Sequence, residues 1–176
     1  MTGLEKAVAR DEIRQLVYRY AHATDMRDLD MLVACFIPNV QVGRDSFGRD
    51  ALRANFAQQL RGVGITILFV GNHRIDFQDA THATGSVYCK GEIQDDKRWI
   101  HQAIRYDDTY QQVDGQWLLV RRKHLLWYGA EPGQNPLDLA PADWPAHHSG
   151  KGTLPECEES WQTFWAADAC HEPKQS

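Results

Sequence analysis

A chain of 176 residues, 43% of them hydrophobic and 24% charged, is of a size to fold as one domain around one core. A formal charge of -5 and a pI near 5.9 argue against a nucleic-acid partner, because binding a phosphate backbone needs a concentrated basic face. No apolar run approaches the ~20 residues of a spanning helix and no secretory signal is evident, so a cytoplasmic protein with no membrane contact is expected. Cys35, Cys89, Cys157 and Cys170 then read as reduced thiols, with Cys157 and Cys170 the alternative disulfide pair.

Thr2-Gly3-Leu4-Glu5 has the spacing of a capping box, and Leu4, Val8, Ile13, Leu16, Val17, Tyr20 and Ala21 follow near helical period, predicting a first helix to about Thr24. Asp28 can cap a second, short helix with the stripe Leu29, Leu32, Val33 and Phe36, which Pro38 ends. A third helix starts near Asp50, carries Leu52, Phe56 and Leu60, and stops at Gly62 and Gly64. From Ile65 the pattern turns β-branched and aromatic, predicting strands near 66–77, 82–94, 98–113 and 116–128. Asp114-Gly115 marks a hairpin turn between the last two. Three helices followed by an antiparallel meander is an α+β order. Beyond Tyr128, Gly, Pro, Asn and Asp predict a loop to about Leu154, then a last helix with the stripe Trp161, Phe164 and Trp165 that either packs on the core or closes over a pocket mouth.

With Asp114-Gly115 as a two-residue loop, Val113 opposes Gln116, Arg122 opposes Asp107 and His124 opposes Arg105. Arg122, His124 and Leu126 would share one face with His101, Ala103 and Arg105. Trp117, Leu119, Leu125 and Trp127 would share the other with Ile104, Tyr106 and Tyr110, and any bulge would overturn this parity. Tyr20 and Asp25 flank the end of the first helix at a spacing that can aim both into one space, although an Asp there also serves as a solvated or capping residue. His73, in Gly71-Asn72-His73-Arg74, is either a structural strand histidine or a functional one. No ligand set with catalytic zinc spacing, no phosphate loop and no nucleophile elbow is present, so neither metal nor cofactor is expected.

Tyr18-x-Tyr20, Asp25-x-x-Asp28, the short helix ending Cys35-Phe36, Gly71-x-His73 and Asp114-Gly115-x-Trp117, in this order, resemble the SnoaL-like branch of the nuclear transport factor 2-like superfamily over residues 5 to 128. Within it the likeness is to the cofactor-free lyases, the group of lindane dehydrochlorinase, bile-acid 7α-dehydratase and scytalone dehydratase. The resemblance implies a cone-shaped α+β barrel over residues 1–130, with the N-terminal helices in the concave face of a strongly bent sheet; residues 131–176 have no clear counterpart in it and are expected from their own pattern to pack on or cap the same domain. It also implies a catalytic dyad of Asp25 and His73, with Arg122 and Tyr20 in the active site and His101 near a polar pocket position. His124, Leu126 and Phe36 complete the expected substrate-binding set.

The expected activity is an elimination on a small hydrophobic, cyclic or aromatic substrate: dehydration, dehydrohalogenation or a related formaldehyde-releasing cleavage. His73 would remove a proton, Asp25 would fix its tautomer, and Arg122 or Tyr20 would stabilise the departing charge. An isomerase or polyketide-type cyclase using the same dyad, and a ligand-binding protein without activity, are the alternatives. A homo-oligomer, a trimer over a dimer, is the expected assembly.

Overall fold

The structure, a computed structural model, describes residues 1–169. The elements, in chain order, are helices α1 (Gly3–Met26) and α2 (Leu29–Ala34), the short strands β1 (Gln41–Val42) and β2 (Ser46–Phe47), and helix α3 (Arg49–Arg61). The long strands β3 (Thr66–Phe77), β4 (His82–Asp95), β5 (Arg98–Val113) and β6 (Gln116–Ala130) follow, then a two-residue strand β7 (Gly150–Lys151) and helix α4 (Glu159–Ala169). Cys170 lies outside the described residues.

The predicted start signals act as expected. The Thr2 hydroxyl accepts from the Glu5 amide at 3.2 Å while the Thr2 amide donates to the Glu5 carboxylate at 2.6 Å. Asp28 caps α2 by accepting from the Met31 amide at 2.9 Å. Asp114 and Gly115 both take positive φ (50° and 79°), the backbone that a two-residue hairpin turn of primed type requires.

Strands β3 to β7 form one antiparallel sheet in sequence order, strongly bent but not closed, with β3 at one edge. Its concave face receives α1: Ile13, Leu16 and Val17 pack with Val87, Cys89, Ile104, Tyr110, Trp117 and Leu119 in one core. The segment after α2 runs beside β6, where Ile37 and Leu119 amides donate to the Leu119 and Cys35 carbonyls at 3.0 and 2.9 Å. This is the α+β, helices-in-concave-sheet architecture anticipated from the sequence.

Three irregularities decide which side chains face inward. On β3 the pairing steps from Gly71↔Tyr88 to Arg74↔Ser86, so two residues oppose Val87 alone, and Asn72 carries the positive φ of 46°. Thr66, Leu68 and Val70 are therefore turned inward before the bulge, and His73, Ile75 and Phe77 after it. On β6 the pairing slips between Leu119 and Arg121 and again between Leu126 and Tyr128, leaving Val120 and Trp127 without a counterpart on β5.

The expected register thus holds only from Gln116 to Leu119. Arg122 opposes Asp108 rather than Asp107, and His124 opposes Tyr106 rather than Arg105. Arg122, His124 and Leu126 join the face of Trp117, Leu119, Ile104, Tyr106 and Tyr110. They do not join that of His101 and Arg105.

Candidate active site

A cavity of about 140 Å³ lies between α1, α3 and the inner face of the sheet. Its wall is mostly apolar or aromatic, including Leu68, Ile93, Ile104, Phe56 and Tyr106, and is completed by Trp144 and His148 from the segment that follows β6. That segment is fastened by main chain. The Gly152 amide donates to the Trp127 carbonyl at 2.8 Å, and a side chain at Gly129 would collide with the His148 carbonyl, 2.0 Å from where its Cβ would stand. Trp144 lies on the His124 ring with centroids 4.3 Å apart.

Two of the anticipated residues reach this wall, Tyr20 from α1 and His124 from β6. Arg122 lies directly behind, its guanidinium carbon 4.3 Å from both the Tyr20 and Tyr106 ring centroids. The Asp108 carboxylate accepts from Arg122 Nε at 2.8 Å and Nη2 at 2.6 Å, with both side chains almost fully buried. Burial opposes the Arg122 charge, but the Asp108 carboxylate outweighs it and holds the pKa above the usual range. Phe36 and Leu126 are core residues; Phe36 backs Tyr20 edge-on at 6.2 Å. His101 is exposed on the outer face, opposite Ala130, and does not contribute to the cavity.

Asp25 and His73 do not meet. The Asp25 carboxylate accepts from the Thr66 hydroxyl and the Leu68 amide, both at 2.9 Å, which ties the end of α1 to the start of β3. The inward side chain beside it on β3 is Leu68. His73 lies beyond the bulge, with Nε2 3.1 Å from the Tyr110 hydroxyl, which itself donates to Asp108 at 2.6 Å. With that proton committed to Asp108, His73 Nε2 must be the donor, so Nδ1 is bare and buried, with no partner among the described residues. Burial, followed by the Asp108 and Arg122 charges acting in opposite senses, leaves the His73 pKa lowered to about 4.

Two polar groups of the wall escaped the reading of the sequence. Gln102 is 1% exposed and donates through Nε2 to the His148 carbonyl at 2.8 Å. The His148 ring has Nδ1 3.6 Å from the Asp95 carboxylate. His148 is visible in sequence only as half of a histidine pair in a Pro-rich loop, and Gln102 only as a polar residue at an inward β5 position. His124, by contrast, has its pKa lowered to about 3 by burial, then by Arg122 and His148, and its Nε2 is buried without a partner among the described residues. Among the described residues no three His, Cys, Asp or Glu side chains gather as metal ligands, and no helix is long and apolar enough to cross a membrane.

The chain belongs to the SnoaL-like domain family, whose pattern matches residues 5–123. Among solved structures it is similar to a candidate scytalone dehydratase from Novosphingobium aromaticivorans DSM 12444, at 22% identity and a TM-score of 0.66, covering 76% of this chain and 94% of that one. It is likewise similar to a type 2 hexachlorocyclohexane dehydrochlorinase (19% identity, TM-score 0.64, 76% and 95% covered). A type 3 dehydrochlorinase from Novosphingobium barchaimii LL02 gives 16% identity and a TM-score of 0.66 over 76% and 97%. At these identities the likeness establishes the fold. No curated protein sequence matches the chain.

Proposed function

We propose that this protein is a cofactor-independent lyase that eliminates a small leaving group from an apolar, ring-containing compound held in the cavity. The observation that carries this reading is the pair of unlike imidazoles on the wall. His124 is held neutral by burial and Arg122, which suits it to hydrogen-bond without ionising. His148 has Nδ1 3.6 Å from the Asp95 carboxylate, a contact that orients its ring for the role of base.

In this scheme His148 removes a proton from carbon, the C–H electron pair becomes the new double bond, and the leaving group departs with its bonding pair. Tyr20, whose pKa burial raises, remains a protonated phenol and donates to that charge beside His124. Arg122 lies behind the Tyr20 ring and supports the same charge through space. The names of the similar structures, a dehydratase and dehydrochlorinases, point to the same reaction class. Asp25 and His73, each bonded elsewhere, stand outside it. The lack of contact between them also favours the alternative of a ligand-binding member without activity. Outward-facing Ile67, Phe69 and Tyr88, 50%, 78% and 42% exposed, would be covered in a homo-oligomer, a trimer over a dimer, which sedimentation at micromolar concentration checks.

The test is turnover of a panel of cyclic alcohols and cyclic halides, followed by alkene absorbance in the presence of chelator. His148→Gln should lose roughly 10² to 10⁴ in rate, the usual contribution of a positioned base. His73→Ala should keep most of it. A loss at His73 matching that at His148 would return the base to His73, and binding without turnover across the panel would leave only the ligand-binding alternative.

A further inference from the structure

We propose that the ligand carries a hydroxyl group and that Gln102 Oε1 is the acceptor that recognises it. This rests on the cavity being the ligand site, as above, and adds what the ligand must present there. Gln102 lies on the inner face of β5, opposite Gly129 on β6. The missing side chain at Gly129 leaves room for the His148 carbonyl, which occupies that space and accepts from Gln102 Nε2 at 2.8 Å. A carbonyl oxygen can only accept, so the amide cannot be turned the other way, and its oxygen is fixed as the free end.

That oxygen is buried and has no partner among the described residues. Leu68 and Ile104, packed with it around Gly91, offer no donor, and none of the hydroxyls on the wall is bonded to it. A buried acceptor left unsatisfied is costly, and a ligand that brings it a donor relieves that cost. A hydrocarbon or a halocarbon has no donor with which to do so. A hydroxyl does, and an apolar space of about 150 Å³ is enough for one six-membered ring. Gln102 would therefore select alcohols and phenols against halides of the same shape. In a dehydration the recognised hydroxyl is either the leaving group or a second one that sets the register of the ring.

The inference is checked by calorimetric titration of the wild-type chain with phenol, toluene, chlorobenzene and anisole, none of which needs to react. Phenol should bind at least about tenfold more tightly than the other three, anisole included, because anisole can accept a hydrogen bond but cannot donate one. In Gln102→Met phenol should fall to the level of toluene while toluene itself is little changed. Chlorobenzene equal to phenol in the wild-type chain, or a phenol preference that survives Gln102→Met, would overturn the inference and leave the lyase reading standing. Should Gln102→Met fail to fold, the wild-type series decides alone. If none of the four binds, the cavity is not the ligand site and both readings fall.

Discussion

Arg122 shows how much of this interior depends on single side chains. Its guanidinium is 4% exposed and the carboxylate paired with it, Asp108, is fully buried, so neither charge has water to fall back on. Removing one member of a buried pair leaves the other uncompensated, which typically costs about 3–5 kcal/mol, whereas replacing both by apolar groups is often close to neutral. Asp108→Asn is therefore expected to lower the urea stability by about that amount, and Asp108→Asn combined with Arg122→Met to recover much of it. Equal losses in the single and double variants would mean that Asp108 acts through Tyr110 and His73 instead. The buried thiols are quieter. Cys35 and Cys89 have pKa values pushed up to about 11 by desolvation, which keeps them as unreactive thiols at neutral pH.

Among the elements, the bulge on β3 has the widest reach. Because strand side chains alternate, one extra residue at Asn72 lets Val70 and His73, three positions apart, both point inward; deleting Asn72 alone would restore plain alternation, whereas deleting Gly71 with it would turn His73, Ile75 and Phe77 out and bring Arg74 and Asp76 into the core. Deletion of Gly71 and Asn72 together should abolish cooperative thermal unfolding followed by circular dichroism, and deletion of Asn72 alone should not. Asn72→Gly should instead stay within about 1 kcal/mol of the wild-type chain, since glycine adopts positive φ without strain.

The same alternation explains what could be read in advance. Helix starts, strand spans and the Asp114-Gly115 turn are local chemistry and stood in the sequence. Inward and outward faces accumulate along a strand, so the unmarked bulges at Val120 and Trp127 moved Arg122 opposite Asp108 and left His101 outside. The site suffered most from this. Its contacts join residues far apart in sequence, such as Gln102 with the His148 carbonyl, and no local pattern announces them. Tyr20 was legible because a helix period aims it inward; His124 was named through the resemblance, while the parity counted from the turn put it on the face of His101.

For the molecule as a whole, two neutral histidines set the response to acid. His73 and His124 have folded pKa values of about 4 and about 3, lowered first by burial, against an ordinary value of 6.5. Between those limits the unfolded chain binds protons that the folded chain refuses, so stability is complete above about 6.5 and declines as the pH falls toward 4. Urea midpoints measured from pH 7 to pH 4 should decrease continuously, and His124→Phe should flatten the curve. A flat wild-type profile would show that water reaches both rings.

The seam that fastens the segment after β6 has a consequence for how new specificities arise. Its anchors are main-chain bonds at Gly152 and Lys151 and a carbonyl seated over Gly129, none of which depends on the identity of the side chains between. Residues 131–149 can therefore drift, or be exchanged as a cassette, while the scaffold below is preserved. Trp144 and His148, which complete the cavity wall, ride on that cassette. A change of substrate could thus begin in a stretch that meets the folding core through Ala142 and Trp144 and lies outside its helices and long strands.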